Sequence, residues 1–181
     1  DVMYLVHEDV SPRKLSRTGH TSWTLTEVDF KRGPYLDQNT TSTTMTPSGT
    51  SGSVTITASS NTFVSTDVGR LIKFSGGHAK ITNFSSATQV TATTTDNFSG
   101  TGGTTDWSLG TFTSTKGFPR AVSFFEQRLV FAGTTSFPQT IFASESGLYE
   151  EFDVGSGNAA DAFIYTIAAN RVNVIRWLAP A

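Results

Sequence analysis

Gly117-Phe118-Pro119-Arg120-Ala121-Val122-Ser123-Phe124-Phe125-Glu126-Gln127-Arg128-Leu129-Val130-Phe131-Ala132-Gly133-Thr134 reads as two short strands folded over a Glu126-Gln127 turn. Its residues on either side of the turn are aromatic, β-branched or small, which suits pleated and half-buried backbone. Gln139-Thr140-Ile141-Phe142-Ala143-Ser144 supplies a third strand, and Ser146-Gly147-Leu148-Tyr149-Glu150-Glu151-Phe152 closes the unit with an aromatic-bearing loop. Together these segments have the pattern of one edge of a propeller blade. Two further strands are expected at 162–168 and 171–178, joined by a turn at Ala168-Ala169-Asn170. In the last of them Val172, Val174, Ile175 and Trp177 favour strand over helix.

Upstream, the same logic gives an antiparallel meander: strands at 1–6, 13–17 and 22–28, then a turn forced by Gly33-Pro34. Trp23 and Trp177, set among strand residues, are expected in the blade core. Residues 40–53 are rich in Thr, Ser and Gly without apolar periodicity and read as a linker. Four or five short strands follow, over 53–57, 70–74, 79–84, 89–94 and 107–112, each bounded by Gly, Ser or Asp. The pairs Val54/Ile56, Leu71/Phe74 with Ile72 on the other face, Ile81/Phe84 and Val90/Ala92 give a thin apolar face, enough for a small β-barrel or β-sandwich. The expected organisation is therefore all-β. A first blade-like segment spans 1–39, an inserted small β module 40–116, and a second blade-like segment 117–181 resumes the first domain.

Composition limits the function. At 181 residues the chain can bury a core but is short for two full-sized domains. Charged residues make up 15% of it, against about 25% in ordinary domains, and Thr, Ser and Gly fill the difference. The net charge of −2 and the scattered Lys and Arg offer no basic field for specific nucleic-acid binding. Absence of cysteine removes disulfides, thiolate metal sites and Cys nucleophiles together. No apolar run approaches the ~18 residues of a membrane span, and the N-terminus lacks the basic start and long apolar stretch of a signal peptide. The chain opens on strand residues without an initiator Met and stops just after an apolar run, so it is expected to be a piece of a longer protein.

Motifs for chemistry are missing. His7, His20 and His78 show no ligand spacing for zinc, and His7-Glu8-Asp9 on a strand would point to alternate faces. Glu145, Glu150, Glu151, Asp153 and Asp161 form the one acid-rich region, in a turn-rich setting that suits solubilising or capping roles better than paired catalytic carboxylates. It has no calcium-loop pattern. The Gly100–Thr105 run lacks the Gly-Lys-Ser/Thr ending and helix of a phosphate loop, and no Gly-x-Ser-x-Gly elbow occurs. No catalytic residue, metal ligand or cofactor site is expected. One binding constellation stands out: Trp107, with Phe112, Phe98 and Phe63, as an aromatic platform for a sugar ring, and Asp106 or Asn97 accepting its hydroxyls. The competing reading makes Trp107 and Phe112 the plug of the small module. Arg120 and Arg128 flank the first hairpin, placed to pair with the 145–151 acids of a neighbouring subunit or of the same chain.

Several strings, in this order, resemble tail proteins of tailed bacteriophages, especially the tubular or nozzle proteins of short-tailed phages and their prophage relatives. Tyr4-Leu5-Val6-His7, Lys14-Leu15-Ser16-Arg17 and His20-Thr21-Ser22-Trp23-Thr24-Leu25 resemble the family's first blade, and Gly33-Pro34-Tyr35-Leu36-Asp37 its exit. Asp67-Val68-Gly69-Arg70-Leu71-Ile72 and Ala87-Thr88-Gln89-Val90-Thr91-Ala92 resemble its inserted module. Gly117-Phe118-Pro119-Arg120, Arg128-Leu129-Val130-Phe131-Ala132-Gly133, Pro138-Gln139-Thr140-Ile141 and Ser144 resemble its second blade. The resemblance implies a virion protein of the tail, non-catalytic, that assembles with other tail subunits as a homo-oligomeric ring and supports DNA passage during host entry. The alternative is a carbohydrate-binding module that recognises host-surface polysaccharide through Trp107, Asp106 and Phe112.

Overall fold

A computed structural model describes residues 1–155, 157–171 and 173–179. It is all-β, with three antiparallel sheets and no α-helix among the described residues. The chain divides into two compact units: 1–30 with 112–181, and 31–111.

In the first unit, β1 (Val2–His7), β2 (Val10–Gly19) and β3 (Ser22–Glu27) form a three-stranded meander. The second unit holds β4 (Met45–Pro47), β5 (Ser53–Ala58), β6 (Leu71–Phe74), β7 (Gly77–Ser86), β8 (Gln89–Asp96) and β9 (Trp107–Leu109). The first unit resumes with β10 (Ala121–Phe125), β11 (Arg128–Ala132), β12 (Thr140–Ala143) and β13 (Phe163–Thr166), a four-stranded meander in chain order.

The β10–β11 turn places both Glu126 and Gln127 at positive φ, 45° and 60°. Two left-handed central residues match the right-handed twist of a two-residue hairpin. β11 lies between β10 and β12 and is buried along its whole length, because Leu129 and Phe131 face one side and Val130 and Ala132 the other. Leu129, Phe131, Phe142 and Phe152 form a core against which Tyr4, Val6, Phe30 and Phe112 pack, so the two sheets of this unit share their apolar interior. Phe30 meets Phe112, Phe131 and Phe152 edge-on at centroid distances of 5.5, 6.0 and 5.6 Å. Each buried Phe contributes about 1.5–3 kcal/mol by area. Arg120 pairs with Glu8 and Lys14 with Glu150, so charge as well as apolar contact joins the N-terminal strands to the later ones.

The second unit is a single six-stranded sheet in the order β4-β5-β8-β7-β6-β9, curled into a half-barrel. Met45 on β4 exchanges backbone hydrogen bonds with Thr104, just before β9, which draws the two edges together. Val54, Ile56, Ile72, Phe74, Ala79, Ile81, Val90 and Ala92 fill the concave side. Segment 31–39 belongs to this unit because its backbone is bonded to it: Thr111 N donates to Pro34 O, Leu36 N to Leu109 O and Asn39 N to Trp107 O. A buried ion pair fixes the turn into β6. Arg70 Nη1 donates to Asp67 Oδ1 at 2.8 Å and its Nε to Gly110 O at 2.7 Å, while Asp67 Oδ2 accepts from Val64 N at 3.0 Å.

Four expectations are corrected. In place of the expected incomplete propeller, the described residues of the first unit form one four-stranded meander and one of three strands, with no propeller among them. Ile72 and Phe74 face the core together, leaving Leu71 on the other face, as strand alternation requires of residues two and three apart. The region read as a linker contains β4, whose one large apolar residue, Met45, is fully buried. No strand runs through 173–179, where Ile175 N donates to Pro138 O without forming a ladder; Val172 lies outside the described residues.

Candidate functional site

The aromatic platform does not assemble. Phe63 and Phe98 are buried in the second unit, Phe98 edge-on to Phe74 at 5.2 Å, so neither presents a face to a ligand. Phe112 packs into the core of the first unit, edge-on to Phe142 at 5.2 Å. Trp107 is half-buried against the core of the second unit, and its Nε1 donates to Thr43 O at 2.9 Å. Trp107 therefore plugs the small module as its competing reading holds, but Phe112 belongs to the other unit. Asp106 is exposed, its backbone N bonded to Thr104 Oγ1 at 3.0 Å.

The other candidates are likewise dispersed. Glu150 pairs with Lys14; Glu145 N donates to Glu151 O; Asp161 Oδ2 accepts from Asn158 N. Burial first, then the Glu150 and Tyr149 charges, raise the Tyr4 phenol above its ordinary pKa. Arg120 and Arg128 are engaged within the chain. Arg128 is buried and donates to the carbonyls of Ser144, Ala159 and Asp161, with its guanidinium 5.6 Å from the Phe163 ring. It anchors loop 144–161 to β11. His7 Nδ1 accepts from Asp9 N at 3.2 Å. Among the described residues no three His, Asp or Glu side chains come together as a metal-binding group, and no helix is long and apolar enough to cross a membrane.

What the structure does assemble is an open apolar sheet face. On β1, Tyr4 and Val6 turn into the shared core, so Met3 and Leu5 turn outward. Cross-strand partners share a face. Register aligns Met3 with Leu15 and Leu15 with Leu25, Leu5 with Arg13 and Arg13 with Glu27, and Arg17 with Trp23. The result is a central apolar row, Met3-Leu15-Leu25, between two rows that each carry an ion pair: Arg13 with Glu27 at 3.2 Å and Arg17 with Asp1 at 3.2 Å. Arg17 also lies 5.6 Å from the Trp23 ring, whose Nε1 donates to His20 O. Met3, Trp23 and Leu25 are 54%, 54% and 57% exposed. Along β3 every residue is exposed, and among the described residues β3 pairs only with β2, which leaves one backbone edge without a strand there.

Trp23 and Trp177, expected in the core, are therefore both on the outside. β1 reads Val-Met-Tyr-Leu-Val, apolar on both faces, so alternation could not say which side would be covered. No protein-family model matches the chain, and no curated protein matches it.

Proposed function

We propose that this chain is a non-catalytic structural subunit that assembles with further copies of itself, and that it serves in a bacteriophage tail of the tube or nozzle type. The observation that carries the first part is the face of Met3, Leu5, Leu15, Trp23 and Leu25. A contiguous apolar patch on a stable sheet marks an interaction surface. Ion pairs at its borders satisfy the charges locally, so covering it strands none of them. The tail reading is supported by the order of the family-like strings, which fall on consecutive elements: the first set on β1–β3, the second on the turn into β6 and on β8, the third on β10–β12.

Mass spectrometry of purified virions from the phage or prophage that encodes the chain tests the tail reading. The chain is expected in intact particles and enriched in isolated tails. Its absence from particles made by cells that express it contradicts the assignment.

A further inference from the structure

Val28 N donates to Pro12 O, and Arg17 N donates to Asp1 O. In an antiparallel ladder, residue pairs that exchange hydrogen bonds alternate with pairs that do not. The β2–β3 register is unbroken from Arg13 opposite Glu27 to Arg17 opposite Trp23, so these two bonds fix its phase: even-numbered residues of β2 bond to β3, and odd-numbered ones to β1. Thr24 and Thr26 therefore turn their backbone groups to β2, while Trp23, Leu25 and Glu27 turn theirs to the open edge. Side chains of the same three residues stand on the face that carries Met3 and Leu15. Sheet edges are ordinarily blunted by Pro, Lys or a bulge. Between Trp23 and Glu27, β3 has none of these.

These three residues are complementary to a second copy of themselves. Antiparallel pairing about a two-fold axis at Leu25 sets Leu25 opposite Leu25 of the second copy and Trp23 opposite its Glu27, and each such pair exchanges two backbone hydrogen bonds. A slip of two residues in either direction sets one outward residue opposite Thr21 or Asp29, outside β3. In the centred register the apolar row Met3-Leu15-Leu25 continues through Leu25, Leu15 and Met3 of the second copy. The flanking row runs Leu5-Arg13-Glu27 and then Trp23, Arg17 and Asp1 of the second copy. Base and acid alternate along it. Glu27, whose side chain is 56% exposed beside Arg13, comes next to a Trp23 ring that already has an Arg17 guanidinium 5.6 Å from its centre. No like charges are set opposite one another, which would oppose pairing. On the other face Thr24 meets Thr26 of the second copy.

We propose that two copies of the chain join by their β3 edges, antiparallel about a two-fold axis at Leu25, so that their β1–β3 meanders become one continuous sheet. This rests on the self-assembly reading above and adds to it the edge and the register.

Amide hydrogen exchange followed by NMR on the unaltered chain, over a concentration series paired with sedimentation velocity, reads the edge directly. Where about nine-tenths of the chain is associated, exchange at Trp23, Leu25 and Glu27 is expected to slow by about tenfold, because these amides then exchange only from the free copy. Thr24 and Thr26, already bonded to β2, change far less. Register is read by disulfide formation, since the chain has no cysteine. Thr24→Cys and Thr26→Cys place single thiols at exposed positions. Opposite one another across the two-fold, positions 24 and 26 have Cα atoms about 4.5 Å apart, within disulfide reach. Position 24 to 24, and 26 to 26, are diagonals of about 7–8 Å and lie beyond it. Mixing the two variants under oxidation is expected to give the mixed dimer several-fold over what either variant gives alone. Association without slower exchange at the three amides, or a mixed disulfide no more abundant than the others, overturns the edge pairing and leaves self-assembly standing. A chain that stays monomeric throughout overturns both.

Discussion

Replacing Arg70 with Met removes the cation from a deeply buried ion pair in the second unit. The Arg70 and Asp67 side chains are 8% and 1% exposed. Burial lowers the Arg70 pKa, and the charge and hydrogen bond of Asp67 oppose that shift. After Arg70→Met the Asp67 carboxylate keeps only its bond from Val64 N of the three contacts that centre on the pair, and Gly110 O loses its guanidinium donor. Breaking a buried pair from one side costs about 3–5 kcal/mol, whereas removing both charges costs much less. With a urea slope near 1–1.5 kcal/mol per M for a unit of this size, the midpoint falls by about 2–5 M. Trp107 is the reporter. The other tryptophans, Trp23 and Trp177, belong to the first unit and are changed to Phe in the background chain. The double variant Asp67→Asn/Arg70→Met is expected to recover about 2 kcal/mol relative to the sum of the single changes. A single Arg70→Met variant within about 1 kcal/mol of its parent, or strict additivity in the cycle, refutes the assigned role.

Gln127→Gly relieves a left-handed residue in the β10–β11 turn and is expected to stabilise the first unit by about 1 kcal/mol, read from its thermal midpoint. Gly77→Ala has the opposite sign, because a Cβ there lies 2.5 Å from Asn97 O and 2.8 Å from Asp96 O; a loss of about 1–3 kcal/mol in urea unfolding checks it. The hydrogen bond from Arg32, together with the Arg32 and His78 charges, holds the Asp96 carboxyl below its ordinary pKa, against the smaller opposing effect of burial. Its folded value lies below the unfolded one, so this contribution is complete above about pH 4 and fades as pH falls through the folded value. Arg32→Gln is expected to remove that part of the acid dependence, measurable by urea midpoints at pH 3 and pH 6.

The strand content was legible because short β-branched and aromatic segments alternate with Gly, Ser and Asp. The Glu126-Gln127 hairpin stands where its residues place it, with β10 and β11 paired from Ala121–Ala132 to Phe125–Arg128. Ile81 and Phe84 share the core side despite their odd spacing because the β7–β8 ladder slips between Ile81 and Asn83, an irregularity no local pattern announces. β4 was hidden because a three-residue edge strand containing Pro47 has too little alternation to register. The candidate surface was hidden for a different reason. Where both faces of β1 are apolar, only tertiary packing decides which one is covered, and residue type alone wrongly favours an interior position for Trp23. Lys73, His78 and Asp96 come side by side only through the β6–β7–β8 register, and Arg32 and Tyr35 reach Asp96 and His78 from outside the strands, so no sequence spacing announces that cluster.

Sedimentation velocity over a wide concentration range, on the chain and on Leu25→Lys, tests the claim of self-assembly through the β1–β3 face most directly. Leu25 is exposed, so the substitution is expected to leave the fold within about 0.5 kcal/mol. The account predicts that the parent chain's average mass rises with concentration and that Leu25→Lys, which adds a cation beside Arg13 and Arg17, holds it at the monomer. A parent chain that stays monomeric throughout, or a Leu25→Lys variant that associates as strongly as the parent, contradicts it.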